Sequence, residues 1–375
     1  MSRIKRNLIV WSVLASVVLG LVVAGIYSYR KKTILDIPIS EINQAKNSLL
    51  EARKHEADIY AAELYKLAYC YYDSALNYWK LENKRIYMMR DHSKSKRTAL
   101  KSDSLAILAA NHAREIRSDS KKTTTLLVKT IKKQLNTLQN LNNTFKLPDE
   151  LSIEIRGLLA DLPILSVCQK NENWTACVEL ASSMDGRASK ALQQATDFLH
   201  DYFQSYPAWQ QWVAEAIGLS RARKINTIVV DKTAGLCYLY KSGRKIATYH
   251  AELGQNWIGD KKYEGDKTTP EGLYEVIEKK DGHKTRYYKA LKINYPNEDD
   301  KKRFEDLKNK GLIDQRKRIG GMIEIHGEGG KGYHWTDGCV ALSNMDMDEL
   351  FKSVPLNTPV LIVGSLRPLT EIMQL

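Results

Sequence analysis

From Leu8 to Ile26 the chain reads LIVWSVLASVVLGLVVAGI, a stretch without a charged residue. About 19 residues of helix cover the roughly 30 Å of a bilayer's hydrocarbon. The run is apolar on every face, which a helix packed on one side of a soluble core would not be. Trp11 lies near one end and Tyr27 and Tyr29 at the other, positions that suit the membrane interface. A cleaved signal peptide has a shorter apolar core, usually about 7–15 residues, and a small-residue cleavage site, and no A-x-A follows here. The expectation is an uncleaved single-pass anchor within residues 1–36. Basic residues flank both ends, Arg3, Lys5 and Arg6 before and Arg30, Lys31 and Lys32 after, so charge alone does not orient it.

The remainder has ordinary globular composition, with 43% hydrophobic and 27% charged residues, which excludes a wholly disordered chain. Lys and Arg exceed Asp and Glu by 13. That excess would serve nucleic acid, anionic lipid or a polyanionic wall alike. No basic stripe interleaved with aromatics marks a nucleic-acid motif, so no nucleic-acid partner is expected. The five cysteines, Cys70, Cys168, Cys177, Cys237 and Cys339, form no CxxC or zinc-ribbon spacing. Cys168 and Cys177 flank the turn-like KNENWT and read either as a closed loop or as two buried thiols.

Residues 37–222 read as an α-helical hairpin or bundle domain. Ser40 is the expected N-cap of its first helix, with Glu41 in the first turn. Ala61, Leu64, Ala68, Tyr72, Ala75 and Trp79 recur at three- and four-residue steps, which places small and large residues on one helix face. Lys94–Lys101 is polar and reads as a solvated stretch or kink. Leu147-Pro148 followed by Asp149 and Glu150 opens another helix, Asp185-Gly186 interrupts the pattern, and Tyr206-Pro207 precedes a last helix ending near Leu219. No fixed repeat period stands out. Such a domain binds, spaces or positions.

Near residue 222 the composition shifts to short β-rich runs: INTIVVDK (225–232), LCYLYKSG (236–243), RKIATYHAELG (244–254), GLYEVIEKK (272–280), YYKALKINYP (287–296), GMIEIHG (321–327), GCVALS (338–343) and PVLIVG (359–364). Alternation and turn signals argue for a mainly antiparallel sheet. The charged segment 297–318 reads as a helical insertion, with Phe304, Leu307 and Leu312 on a weak apolar side. HExxH and P-loop motifs are absent. Ser93-x-x-Lys96 with Lys241-Ser242-Gly243 imitates a penicillin-binding enzyme, but Tyr295-Pro296-Asn297 falls on the wrong side of KSG.

The chemistry-bearing stretch is IEIHGEGGKGYHWTDGCVALSN, residues 323–344. His326 ends one strand, Cys339 begins another, and a glycine-rich loop joins them. A thiol needs a nearby base to become a thiolate and backbone N–H groups to receive an oxyanion. Gly338 removes bulk just before the thiol. Spacing alone leaves a buried structural cysteine as an equal alternative. A zinc site of His326, His334 and Cys339 lacks a fourth ligand, so neither metal nor cofactor is expected.

His326-Gly327 followed by Thr336-x-Gly338-Cys339-Val340 resembles the signature of the L,D-transpeptidase catalytic domain. Thr269-Pro270-Glu271-Gly272, Asn294-Tyr295-Pro296-Asn297, Gly320-Gly321-Met322 and Leu342-Ser343-Asn344 extend the likeness over about residues 224–365. The resemblance implies a mainly β, sandwich-like domain, residues 223–366, followed by a tail at 367–375. It implies a penicillin-insensitive cysteine acyltransferase acting on peptidoglycan stem peptides, a role in wall organisation and cell shape. By resemblance Cys339 is the nucleophile and His326 the general base, preferred over His334 because the His-Gly pair follows a strand. Gly338 and Cys339 supply oxyanion donors, and Thr336 and Gly327 shape the site.

Two departures from the family pattern stand out. Asp337 takes the place of a common His or Arg, and Ala341 that of a common Arg or Asn. An arginine there would hold a carboxylate through paired bonds. Arg316, Arg318 or Lys331 are the substitutes, with Asn344 and His334 further substrate-binding candidates. Water in place of an amine acceptor would make the same site a carboxypeptidase or an amidase, and a vestigial site would leave a wall-binding scaffold. A wall enzyme faces outward, which puts the short tail in the cytoplasm and the body in the periplasm of a bacterial inner membrane. The helical domain is then the surface for an envelope partner.

Overall fold

A computed structural model describes residues 3–35 and 37–373. The expected first and last segments therefore extend, at residues 1–2, 36 and 374–375, outside the described residues, as do the side chains of the basic flanks Arg3, Lys5, Arg6, Arg30, Lys31 and Lys32. Helix α1 spans Arg3–Leu35. Within it Ile9–Tyr29 is the one stretch, among the described residues, long and apolar enough to cross a membrane, and none of it is buried in protein. Two of its hydroxyls bond inside the helix: Ser12 Oγ donates to the Ile9 carbonyl at 2.8 Å and Ser16 Oγ to that of Ser12 at 2.9 Å. Such back-bonding is how a polar group enters an apolar span without loss.

The helical region continues as α2 (Ile39–Lys54), α3 (Ala57–Tyr60), α4 (Ala62–Asn83), α5 (Ser93–Thr144), α6 (Asp149–Lys170), α7 (Trp174–Phe203) and α8 (Tyr206–Arg223). The chain divides into two compact units, Met1–Lys129 with Ile164–Ser182, and Thr130–Pro163 with Ser183–Leu375, so the division passes through α5, α6 and α7. Three local expectations need correction. Pro38, not Ser40, occupies the N-cap of α2, and the Ser40 hydroxyl bonds Glu41 instead. Lys94–Lys101 forms the first turns of α5 because Ser95 and Ala99 are buried there. Gly186 sits inside α7, where buried Met184 and Ala188 hold the helix through it; the roughly 1 kcal/mol propensity cost of a glycine is overridden by that packing.

In the first unit the packing depends on small residues. Ala61 at the N-cap of α4, Ala68 and Ala75 within it, and Ala99, Ala106 and Ala113 of α5 repeat every seventh residue, and all are buried. Side chains this small let helix backbones approach closely. Ser95 and Ser102 of α5 then donate to the Ala75 and Ala68 carbonyls of α4, each at 2.8 Å. Tyr65, Tyr72 and Trp79 pack around this seam half-buried, as core residues. A Cys168–Cys177 disulfide closes the loop between α6 and α7.

In the second unit, β1 (Asn226–Asp231), β2 (Leu236–Lys241), β3 (Arg244–His250), β4 (Gly272–Asp281), β5 (Lys289–Ile293), β6 (Glu324–His326), β7 (Val340–Ala341) and β8 (Pro359–Val363) fall on the β-rich runs of the sequence, β4 reaching one residue past its run. They form one continuous eight-stranded order, β3-β2-β1-β8-β4-β5-β6-β7. Most pairs are antiparallel, while β1–β8 and β6–β7 are parallel. Helix α8 packs on β1 and β8. Its Trp209 is 1% exposed, and a Cβ on Gly364 would stand 2.2 Å from the indole, so only glycine fits at that crossing. Tyr202, Phe203 and Phe145 surround the same ring system edge-on. The insertion helix α9 (Glu298–Asn309) opens with an Asn297–Asp300 capping box and buries Phe304, while Leu312 lies beyond it, exposed. Helix α10 (Asn344–Ser353) is capped by Ser343 and packs on β5. The expected C-terminal tail contains a short helix, α11 (Leu369–Ile372), with Leu369 and Ile372 buried.

Candidate active site

The strand register assembles the site. β6 and β7 run parallel with Ile325 opposite Val340 and His326 opposite Ala341. One step back along that ladder sets Cys339 opposite Glu324. Facing residues in a sheet share a face and alternate residues return to it, so Cys339, Glu324 and His326 stand on the same side. Thr336 closes the turn before the thiol: its hydroxyl donates to the Cys339 carbonyl at 2.7 Å and accepts the Gly338 N–H at 3.2 Å. Gly338 has φ +135°, and a Cβ there would lie 2.8 Å from the Thr268 carbonyl oxygen. At Gly327 a Cβ would lie 2.6 Å from the side-chain oxygen Asn344 Oδ1.

His326 is fully buried, stacked on Tyr287 at 3.7 Å between ring centroids and edge-on to Trp335 at 5.9 Å. Its Nδ1 lies 2.6 Å from the Gly327 carbonyl oxygen. A carbonyl only accepts, so Nδ1 carries the hydrogen and Nε2 keeps its lone pair. Nε2 is buried without a hydrogen-bond partner. Burial lowers the affinity of the ring for a proton, against a smaller opposing pull from the Gly327 carbonyl. The Cys339 thiol is half-buried and donates toward the Met322 carbonyl oxygen at 3.6 Å. Burial pushes it up to about 11, against the smaller opposite effect of the Glu324 N–H. The resting pair is therefore a neutral thiol and a neutral imidazole.

The expected substrate-binding residues are engaged elsewhere. Arg316 is 90% exposed and pairs twice with Asp314, and Arg318 pairs with Glu264 at 3.0 Å. Lys331 lies 3.2 Å over the Trp335 ring. Asn344 Oδ1 accepts the Glu328 N–H at 2.7 Å and so holds the loop after His326. His334 Nδ1 accepts the Leu253 N–H at 2.9 Å, and the residue lines an open groove of about 680 Å³ with Lys146, Gln255, Trp257, Tyr333 and Trp335. Gly338, expected as an oxyanion donor, has its N–H turned to Thr336.

Sequence reasoning missed three charged residues. Buried Glu252 pins the glycine-rich loop, accepting the Gly332 N–H at 2.6 Å and the Trp335 indole N–H at 2.7 Å. Lys261 and Lys280, from two separate segments, interact electrostatically with the thiol. Glu252 and Lys280 meet partners far along the chain, and Lys261 meets Asp266 within its own loop. No group of three or more potential metal ligands occurs among the described residues.

With this geometry in place, the comparisons with known proteins are specific. Residues 225–362 match the L,D-transpeptidase catalytic domain, the YkuD family. YafK of Escherichia coli K12, whose name carries the same family, is 28% identical over 155 residues, 41% of this chain and 52% of that protein. Among solved structures, Bd1075 of Bdellovibrio bacteriovorus is 26% identical over 40% of this chain and 52% of that one, with a TM-score of 0.30. An L,D-transpeptidase of Xylanimonas cellulosilytica is 20% identical over 37% of this chain and 61% of that one, with a TM-score of 0.26. The chain spans about half the length of the curated relatives it matches. Members of the L,D-transpeptidase family are cysteine-dependent and act on peptidoglycan.

Proposed function

We propose that this protein is an L,D-transpeptidase of the bacterial cell wall, held by α1 in the inner membrane with its body in the periplasm. Supporting the reading above all is the β6–β7 register, which sets Cys339 on one face with a buried His326 whose Nε2 is unpartnered. In the reaction, Nε2 takes the thiol proton as Sγ attacks the carbonyl carbon between the stem's L-centred diamino residue and its terminal D-alanine. The Cys339 backbone N–H receives the oxyanion, and Thr336 holds the turn that presents it. Collapse breaks the C–N bond, and the imidazolium returns its proton to the departing D-alanine amine. The thioester is then attacked by an amine of a second stem or of a protein; that amine loses its proton to His326, and the thiolate leaves. Peptidoglycan stem peptides are the substrate, and the helical region is the surface for an envelope partner.

The test is to incubate detergent-solubilised full-length protein with defined tetrapeptide muropeptides and separate the products by mass spectrometry, beside Cys339→Ala. Dimers joined through two diamino residues, absent with the variant, are expected. Tripeptide monomers alone would replace the transferase reading with a hydrolase. No product, from a Cys339 that is also inert to acylation, would remove the catalytic reading.

A further inference from the structure

Two buried cations interact electrostatically with the Cys339 thiol, and the acyl transfer described above uses neither. Lys261 is closed by Asp266 at 2.6 Å. Lys280 reaches over from β4 and sets its Nζ 2.7 Å from the buried Glu324 carboxylate. Burying such a pair is costly, and apolar residues of similar size often do as well or better for stability. Its place on the site face follows from one irregularity. Val276 pairs with Ile293 but Glu278 pairs with Lys292, a bulge that turns Glu278 and Lys280 toward the side carrying Ala290, Lys292, Glu324 and His326. Lys280 then shares a row with Ala290 and His326, while Glu324 stands opposite Cys339 and its own N–H lies against the thiol.

We propose that the Lys280–Glu324 ion pair is a positioning element of the nucleophile, governing how readily Cys339 gives up its proton. The Glu324 carboxylate opposes negative charge on the sulfur, and the Lys280 ammonium cancels that opposition while holding the carboxylate on β6. This rests on Cys339 being the nucleophile. The other groups facing the thiol leave a close balance. Asp337 adds an anion, Lys261 is offset by Asp266, Lys292 meets Glu278 at 3.9 Å, and Tyr287 and His326 are neutral near pH 7. Removing one member of the pair leaves a whole charge uncompensated beside the sulfur, and the two deletions act with opposite sign.

The experiment follows alkylation of Cys339 by iodoacetamide, a neutral probe, in the full-length protein with exposed Cys70 changed to serine, from pH 6 to 9, quantified on the Cys339 peptide by mass spectrometry. Glu324→Gln is expected to react about tenfold faster at a given pH and Lys280→Met about tenfold slower, the shift of roughly one pH unit that a nearby charge imposes. Lys280→Arg and the double variant Lys280→Met/Glu324→Gln should stay near wild type. Changes of one sign in both single variants, or no change, would overturn the proposal, because altered packing or access moves both alike. If Lys280→Met does not fold, Glu324→Gln decides alone, and a rate at or below wild type overturns it. The probe needs no muropeptide. Opposite shifts in a protein that turns nothing over would leave the pair's role standing and remove the wall chemistry.

Discussion

The two compact units solve the burial problem in opposite ways. The first closes its α4–α5 seam with alanine and serine: Ala68, Ala75, Ala99 and Ala106 have no exposed surface, and the large Tyr72 and Trp79 lie at the margin. The second fills its interior with large side chains, Ile228, Leu361 and Trp209 among them, and also buries charge, in Lys232–Glu271, Lys261–Asp266 and Lys280–Glu324. Alanine seams are sensitive to added volume and cannot lose much. Large-residue cores are sensitive to lost volume. Cys339 and His326 lie in the unit whose interior holds these three ion pairs.

The sharpest break between the units is at the site. Cys339→Ala should abolish turnover, and His326→Ala should lower kcat/KM by about 10²–10⁴, the usual worth of a general base. Substitutions on the α4–α5 seam that leave the fold intact should not approach either figure in the muropeptide assay. The pH profile sharpens the point. His326 must be neutral to act, and burial places its proton loss below the ordinary 6.5, so activity should fall only as pH drops beneath that value. With the thiol up at about 11, no alkaline decline is expected from its ionisation below pH 10. An acid limb centred above 6.5 would argue against a buried, neutral His326 as the base.

Next in size is Trp209→Ala. The indole is enclosed by Tyr202, Phe203 and Gly364, and emptying that volume should cost about 3–5 kcal/mol in a denaturant titration. A loss under about 1 kcal/mol would mean that α8 is not anchored through this ring. The mirror experiment in the first unit is Ala75→Leu, small to large. It should cost about 1–3 kcal/mol, because the added atoms meet α5 at Ala99 and at the Ser95 hydroxyl. Were Ala75→Leu neutral, the seam would be looser than its burial implies.

The same contrast governs how much the sequence disclosed. Helix and strand content and the three- and four-residue steps of small and large residues along α4 depend on local pattern and were legible as such. Alternation and turn signals carried β1–β8, and local signals the start of α6. Local pattern failed at Gly186, where tertiary packing overrides a local breaker, and at Lys94–Lys101, where a polar composition hides two buried small residues. Buried charge was least legible. Lys232 follows β1 at the end of the run INTIVVDK, yet it is fully enclosed and donates to the Gly259 and Thr269 carbonyls and to Glu271. Its three donors are met by residues far along the chain, and no window of sequence contains them. Glu252 and Lys280 escaped notice for the same reason, their partners Gly332, Trp335 and Glu324 lying far along the chain, and Arg316 and Arg318 were named for their residue type alone.

The smallest effect tests whether the seam's serines hold the helices or only fit between them. Ser102 Oγ donates to the Ala68 carbonyl, which already accepts a bond within α4, so Ser102→Ala removes a donor without stranding an acceptor. The alanine that replaces it is as small as its neighbours and keeps the close approach. Its cost should therefore be about 1 kcal/mol or less in the same denaturant titration, below Ala75→Leu. A loss above about 2 kcal/mol would assign the first unit's cohesion to polar contacts across the helices, and would place its energetics closer to the buried ion pairs of the second unit than to a fit of small residues.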